Sequence, residues 1–361
     1  MGTICLCMMV RNEAHVIERA LQSVRHLIDY WVICDTGSED DTPARILQAM
    51  QGKAGELHRV PWVNFGHNRT QVIGLAKHKA DYALIMDADM VANIHAPFKE
   101  GLCKDFYEIR YEGDVDYTQP MLVSTAHDWK YIGVTHEYIF SPTAGSWEIL
   151  QELTLTHFAD GGMRSEKLER DVRLLTASLE QDPDNTRNIF YLAQSYKDLD
   201  QYEAAIYWYQ QRLRYEGWAE ERWYAMYQLA RMKQLAGRDW NEVLSGYLAA
   251  YGARPSRLEP VYEIVRYYRD RQEFHTGYLF AAHAGHSLQY PADMLFIDRP
   301  VYTYLLQLEY GVCAFGAGRI SEAVKAFNEV LLVDQLPDWV IASAERGRKM
   351  ALEKLSVAAH Q

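Results

Sequence analysis

Two aspartates, Asp87 and Asp89, follow an apolar run that begins at Ala83. If this run is a buried strand, both carboxylates lie at its carboxyl end, where open α/β sheets bind their ligands. Alternate residues of an extended chain point the same way, so the two carboxylates can face one site. Such oxygen ligands suit Mg²⁺ or Mn²⁺, with phosphate oxygens completing the coordination. Taken alone, the pair is better explained by a helix cap and a solvated loop residue.

Polar clusters also follow two earlier apolar runs, which gives the aspartate pair more weight. Residues 11–13 (Arg-Asn-Glu) follow the run 3–10, and residues 35–38 (Asp-Thr-Gly-Ser) follow the run 30–34. Strands and helices alternate over roughly the first 90 residues, which predicts a mostly parallel sheet with helices on both faces. Three polar clusters then meet at one edge of the sheet. No Gly-rich phosphate loop is present, so phosphate must be held by a metal and by side chains.

Composition excludes several classes of protein. The 361 residues carry a net charge of −12, which argues against a nucleic-acid partner because phosphate backbones are repelled. The five cysteines are odd in number and three of them lie in apolar runs, which indicates buried thiols rather than a disulfide framework. We find neither a signal-peptide pattern nor an apolar run of membrane-spanning length. The expectation is a soluble, cytoplasmic protein.

The pattern changes twice further along the chain. Short segments between residues 106 and 158 predict mostly antiparallel strands, and these carry His136 and His157. After residue 160 the pattern is helical, and small residues recur at fixed spacing before an aromatic residue. The two clearest sets are Ala193, Ala205 and Tyr209, and Gly311, Ala323 and Phe327. This spacing is typical of stacked helical hairpins. We therefore predict a catalytic domain over residues 1–160 and an α-helical repeat domain over residues 161–361.

Four motifs in the first 90 residues resemble family-2 glycosyltransferases of the GT-A fold. They are residues 8–13 (Met-Met-Val-Arg-Asn-Glu), 32–40 (Val-Ile-Cys-Asp-Thr-Gly-Ser-Glu-Asp), 68–71 (Asn-Arg-Thr-Gln) and 84–89 (Leu-Ile-Met-Asp-Ala-Asp). The remainder resembles a bacterial and viral group of these enzymes that carries tetratricopeptide repeats. The implied fold class is an α/β, Rossmann-like GT-A domain followed by an all-α tetratricopeptide-like solenoid.

The resemblance implies a site for a nucleotide sugar, with a UDP-sugar as the expected donor. The residues expected to bind it are Val10, Asn12, Glu13, Asp35, Arg69, Asp87 and Ala88. Asp35 would contact the base or ribose, and Arg69 would lie near the diphosphate. Mn²⁺ or Mg²⁺ would be bound by Asp87, Asp89 and a downstream histidine, with His157 as the first candidate and His136 as the second.

One departure from the family leaves the general base open. Many inverting members carry a Glu-Asp pair near the acceptor, and none occurs between Asp89 and Phe158. Glu137 is the best carboxylate for this role, Asp128 is the next, and His136 is the histidine candidate. A positioned base contributes roughly 10²–10⁴-fold to the rate.

The expected activity is a metal-dependent glycosyltransferase of the hexosyltransferase type that inverts the anomeric carbon. The acceptor is open: protein, peptide and glycan fit, while nucleic acid is disfavoured by the charge. The repeat domain binds the acceptor, supports the catalytic domain or forms a homo-oligomer, and the sequence does not choose among these. Two other hypotheses are a non-catalytic scaffold with a nucleotide-sugar fold whose repeats bind a partner protein, and a nucleotidyltransferase.

Overall fold

The computed structural model describes residues 2–112, 117–161, 167–285 and 289–358. The chain is divided into two compact units, Met1–Pro183 and Asp184–Gln361. The first unit continues past the predicted domain boundary at residue 160, so the helix that starts at Lys167 belongs to it. In the described ranges, no helix combines the length and the apolar character needed to cross a membrane.

An eight-stranded sheet forms the centre of the first unit, within the part of the chain that the structure describes. Its strands, in chain order, are β1 (Ile4–Val10), β2 (Tyr30–Asp35), β3 (Gly55–Arg59), β4 (Tyr82–Ile85), β5 (Met90–Ile94), β6 (Phe106–Glu112), β7 (Thr118–Ser124) and, after a separate hairpin, β10 (Trp147–His157). The spatial order is β3-β2-β1-β4-β7-β6-β10-β5. The first four are parallel, and β7 joins β4 antiparallel. The hairpin pairs β8 (Lys130–Ile132) with β9 (Tyr138–Phe140).

Four α-helices accompany the sheet in the described part of the first unit. They are α1 (Ile17–Val24), α2 (Thr42–Ala49), α3 (Phe65–Ala76) and α4 (Lys167–Gln181). The chain moves outward from β1 to β3 through α1 and α2 and then returns to β4 through α3. Since parallel crossovers are right-handed, this reversal places α3 on the face opposite α1 and α2. The point of reversal beside β1 is where such sheets bind ligands.

Apolar residues fill both sides of the central strands. Residues 4–8 of β1 and residues 82–85 of β4 are buried, as expected for strands covered by helices on two faces. Of the predicted strands, the run into Asp87 ends slightly earlier than expected, at Ile85. The strand β5 was not predicted, because only a short turn separates it from β4. The prediction of a mostly parallel sheet with helices on both faces is confirmed.

An irregularity interrupts the pairing of β10 with β6. Leu150 pairs with Ile109 and Thr154 pairs with Arg110, so residues 151–153 have no partner in β6. The side chains that point to the core change phase across this bulge, from Leu150 before it to Leu153 and Leu155 after it. The bulge therefore decides which face of the sheet the end of β10 presents.

The second unit is helical throughout its described elements. These are α5 (Thr186–Asp198), α6 (Tyr202–Leu213), α7 (Ala219–Leu235), α8 (Trp240–Ala253), α9 (Glu259–Asp270), α10 (Phe274–Gly285), a single π-helical turn (Val301–Leu305) that leads into α11 (Leu306–Gly316), α12 (Ile320–Leu331) and α13 (Asp338–Ala358). Successive helices pack as antiparallel hairpins, the arrangement predicted from the repeats.

The predicted small residues lie where neighbouring helices approach each other most closely. Ala193 of α5 and Ala205 of α6 are fully buried, and Tyr209 lies between them and the next hairpin. In the later set, a methyl group at Gly311 would lie 2.7 Å from the ring of Phe327. Only glycine allows α11 to approach this ring. The predicted tetratricopeptide-like solenoid is confirmed.

Candidate active site

Two adjoining cavities open beyond the carboxyl end of β4, and only the first also reaches the ends of β1 and β2. Every residue that lines them belongs to the first unit. The first, of about 260 Å³, is bordered by the ends of β1 and β4 and by the loop before α3. The second, of about 290 Å³, is bordered by β6, β7 and the loop before β9. Both share a wall that includes Arg69, Asp87, His157 and Lys167.

Asp89 and His157 meet at this wall although they are far apart in the sequence. His157 Nε2 lies 3.2 Å from Asp89 Oδ2, and the Gly161 amide donates to the same oxygen at 3.3 Å. Burial raises the pKa of Asp89, but hydrogen bonds from His157 and Gly161 offset this effect, and the pKa lies below its usual value. The carboxylate is therefore ionised at neutral pH, which is the form that can bind a metal ion.

The spacing of these two atoms fits one divalent ion. Neighbouring ligands about 2.1 Å from an octahedral ion are about 3.0 Å apart, close to the separation of His157 Nε2 and Asp89 Oδ2. The carboxylate oxygen suits Mg²⁺ or Mn²⁺, and the histidine nitrogen is a ligand for divalent transition metals. Among the described residues, no group of three or more such side chains surrounds a single point. The described residues thus supply two candidate ligands at this point, Asp89 and His157.

A glycine keeps the space around Asp89 open. A methyl group at position 161 would lie 3.2 Å from Asp89 Oδ2 and 3.3 Å from Glu13 Oε2. Glu13, one of the predicted binding residues, thus lies in the first cavity beside the metal candidate. The loop that carries Gly161 is held by Asp160, which accepts two hydrogen bonds from Arg19 at 2.7 and 2.9 Å.

Asp87 is directed away from Asp89 and toward Arg69. Arg69 Nη2 donates to both oxygens of Asp87, at 2.7 and 2.9 Å. Its Nε lies 2.7 Å from Oε1 of Glu137, so one guanidinium holds two carboxylates. Burial lowers the pKa of Arg69, but Asp87 and Glu137 together raise it above its usual value. Of the three predicted metal ligands, Asp89 and His157 are in contact, whereas Asp87 is paired with Arg69.

The predicted nucleotide residues near β1 and β2 divide into two groups. Val10, Glu13 and Ala88 line the first cavity. Asn12 and Asp35 do not line it: Asn12 Oδ1 accepts from the Glu39 amide, and Asp35 Oδ1 accepts from the Ser38 amide at 2.8 Å. Both side chains shape the loop after β2. The neighbouring Thr36 lines the cavity.

The three candidates for the general base lie in different surroundings. Glu137 lines the second cavity but is paired with Arg69. Asp128 is outside both cavities, exposed over 85% of its side chain and paired with Lys77. His136 lines the second cavity, with Nε2 3.9 Å from Oδ2 of Asp171, and its φ of 50° marks a tight turn.

Several residues that line the cavities were missed. Arg11 lies in the first cavity, and its buried Nε has no hydrogen-bond partner in the described structure. Lys167 and Arg170 line both cavities, and Asp171 lines the second. The available signal was the Lys-x-x-Arg-Asp spacing of residues 167–171, which places Arg170 and Asp171 each about one helical turn from Lys167.

Comparisons with known proteins agree with these two parts of the chain. Residues 5–110 match the family model described as "Glycosyl transferase family 2". A TPR repeat-containing protein of Synechococcus elongatus is 38% identical over 90 residues, which is 25% of this chain and 21% of that protein. The chain therefore spans about a fifth of the length of this relative.

Two solved structures are also similar. The C-terminal part of a TPR repeat-containing protein from Cytophaga hutchinsonii is 15% identical, with a TM-score of 0.41, over 53% of this chain and 69% of that one. Glucosyl-3-phosphoglycerate synthase from Mycobacterium tuberculosis, solved with Mn²⁺ and UDP, is 23% identical, with a TM-score of 0.25, over 31% and 45%. The resemblance to family-2 glycosyltransferases, inferred above from four motifs, is confirmed for residues 5–110.

Proposed function

We propose that the protein is a glycosyltransferase that takes a sugar from a nucleotide-sugar donor, with a UDP-sugar as the expected donor. The observation that carries the proposal is the pairing of Asp89 with His157 in a cavity at the carboxyl ends of β1 and β4, within reach of cationic side chains. Diphosphate needs a metal or cations because no Gly-rich loop is present. The match of residues 5–110 to the glycosyltransferase family supports the same activity.

The donor would lie with its nucleoside toward Val10, Thr36 and the aromatic ring of Trp62. Its diphosphate would then face Arg11 and Lys167, whose positive charge offsets the charge that develops on the leaving group. Asp89 and His157 would bind Mn²⁺ or Mg²⁺, which supplies Lewis-acid stabilisation of the same oxygens when bound. Because His157 Nε2 and Asp89 Oδ2 contact each other, a bound ion would replace that contact with two metal–ligand bonds.

Transfer would proceed with inversion by a single displacement. The second cavity lies across the shared wall from the first, which leaves room for an acceptor hydroxyl opposite the leaving diphosphate. Holding the two reactants in line supplies several kcal/mol, up to about 7–11 kcal/mol in ideal cases. The transition state would resemble the oxocarbenium ion of glycoside hydrolysis.

Calorimetric titration with UDP in the presence of Mn²⁺, followed by a panel of nucleotide sugars scored for release of nucleoside diphosphate, tests this function. We expect UDP binding that is lost with EDTA and restored by Mn²⁺ or Mg²⁺. The variant Asp89→Asn should remain folded and lose turnover, while Asp334→Asn, which removes an exposed carboxylate in the repeats, should match the wild type. Full turnover by Asp89→Asn would refute the site, and indifference to EDTA would refute the role of the metal.

A non-catalytic scaffold is the second candidate, and two observations favour it. Asp87 is occupied by Arg69, and the described residues offer no three-ligand metal cluster. In this case the fold would be retained without turnover, and the repeats would bind a partner protein. Binding of UDP without release of nucleoside diphosphate from any donor would favour the scaffold over the enzyme.

A further inference from the structure

The second cavity contains a carboxylate that the family resemblance did not assign. Asp171 lies on α4, and only 1% of its surface is exposed. Its Oδ1 accepts a hydrogen bond from Thr135 Oγ1 at 3.1 Å. Its Oδ2 has no hydrogen-bond partner within the described residues, although it is buried. Buried carboxylate oxygens are rarely left without a partner, so this oxygen is placed to accept one from a bound molecule.

The other acids at this wall are occupied. Asp87 and Glu137 both pair with Arg69 at 2.7 Å. The nearest cationic groups to Asp171 are more distant, since Nε of Arg170 and Nε2 of His136 each lie 3.9 Å from one of its oxygens. Asp171 is therefore the least neutralised carboxylate in the second cavity.

The electrostatic surroundings agree with a role in proton transfer. Burial raises the pKa of Asp171, and Glu137 adds to this rise, while Thr135, Arg170 and Lys167 lower it less strongly. A general base works best when its pKa is close to the working pH. The direction of this shift therefore favours proton uptake by Asp171.

Two aromatic rings also line the second cavity. Tyr111 and Tyr117 are stacked, with centroids 4.5 Å apart and planes at 6°. Tyr111 is buried and its hydroxyl is held by Gln119 at 3.2 Å, whereas Tyr117 is 40% exposed. One face of Tyr117 is thus covered and the other is accessible. A flat, accessible ring suits the apolar face of a sugar ring.

Charge in the second cavity is balanced. The cations are Arg69, Lys167 and Arg170, and the anions are Asp87, Glu137 and Asp171. The formal charges of these six side chains sum to zero, and Lys167 also borders the first cavity, where it would face the donor diphosphate. The second cavity therefore has no surplus of positive charge for a phosphate or carboxylate on the acceptor. The cavity therefore favours a neutral molecule that carries hydroxyl groups.

We propose that the second cavity binds a neutral sugar as the acceptor, stacked on Tyr117, and that Asp171 accepts the proton of its attacking hydroxyl. The inference rests on the proposed glycosyltransferase activity. The acceptor oxygen forms a bond to the anomeric carbon of the donor as the bond from that carbon to the diphosphate oxygen breaks. The proton passes to Asp171 Oδ2 and then to solvent, and the nucleoside diphosphate leaves.

The test uses the full chain with Mn²⁺, the donor that the panel selects and three sets of acceptors: neutral aryl glycosides, the same glycosides carrying a 6-phosphate, and serine peptides. Asp171→Asn keeps an oxygen for Thr135 but cannot accept the proton. We expect its kcat for transfer to neutral glycosides to fall roughly 10²–10⁴-fold, with the Kd for UDP unchanged. Glu169→Gln, an exposed neighbour on the same helix, should match the wild type.

Tyr117 supplies the second measurement. Tyr117→Ala should raise the KM for the acceptor with little change in kcat, and Tyr117→Phe should restore it because the ring is kept. Transfer only to phosphorylated glycosides or to peptides would overturn the acceptor class, and normal turnover by Asp171→Asn would overturn its role as the base. Absence of UDP binding by the wild type would instead refute the proposed function itself.

Discussion

Arg69 is expected to stabilise the unliganded protein through the two carboxylates that it holds. Its side chain is 16% exposed, and it contacts Asp87, 32% exposed, and Glu137, 12% exposed. The variant Arg69→Gln leaves both carboxylates without their cation. Breaking a buried pair costs about 3–5 kcal/mol, because the remaining charge stays buried.

The exposure of each partner sets the magnitude. Glu137 is nearly buried and should incur most of that cost, whereas water can solvate Asp87 and reduces its share. We therefore expect a total loss of about 3–5 kcal/mol rather than twice that amount. Proteins of ordinary stability have about 5–15 kcal/mol, so the variant should be destabilised but folded.

Urea denaturation of the unliganded protein, followed by circular dichroism, measures this loss. The double variant Arg69→Gln/Glu137→Gln should regain about 1–3 kcal/mol relative to Arg69→Gln, since the unpaired charge of Glu137 has been removed. Arg69→Lys, which keeps the charge but loses the forked geometry, should fall between the wild type and Arg69→Gln. A free energy of unfolding for Arg69→Gln within about 0.5 kcal/mol of the wild type would refute the reasoning.

Three further changes have defined outcomes. Gly161→Ala places a methyl group 3.2 Å from Asp89 Oδ2, so the affinity for Mn²⁺ and UDP should fall about 10- to 100-fold in a calorimetric titration. Unchanged affinity would show that the methyl group does not crowd Asp89. Gly311→Ala should destabilise the protein in urea, because overpacking against Phe327 costs about 1–3 kcal/mol and helix propensity returns about 1 kcal/mol. Burial raises the pKa of Glu309 to about 7, so the folded state holds a proton that the unfolded state releases above pH 4.5. The free energy of unfolding should therefore fall as the pH rises from about 4.5 to 7, and Glu309→Gln should remove this dependence in urea titrations at several pH values.

The sequence was sufficient for the architecture because its signals are local. Apolar runs that end in polar residues identified the strand ends, and fixed spacing of Ala193 and Ala205 identified the close contacts between helices. The same reasoning located Asp89, since its position after a buried strand follows from the run itself. His157 depended on the family resemblance, because nothing near it in the sequence indicates a contact with Asp89.

The sequence did not predict which charged side chains pair with each other in the folded protein. Asp87 lies two residues from Asp89, and alternation predicted that both would face one site. The chain leaves β4 at Ile85, however, so residues after it do not keep the strand geometry, and Arg69 draws Asp87 aside. Asp171 was missed for a similar reason: only the fold brings α4 against the loop that carries Thr135.

The number of residues in the bulge of β10 determines the face of the sheet to which His157 points. Residues 153, 155 and 157 point to one side of the strand. Leu150 lies an odd number of residues before them, so in a regular strand it would point to the other side. It points to the same side because the bulge lies between Leu150 and Thr154. Deleting one residue between Leu150 and Leu153 would leave the first half of the strand paired with β6 and turn the imidazole of His157 to the opposite face. Substitutions in this segment should thus be tolerated far better than changes in its length, and homologous proteins that use this histidine should vary there in residue type but not in residue number.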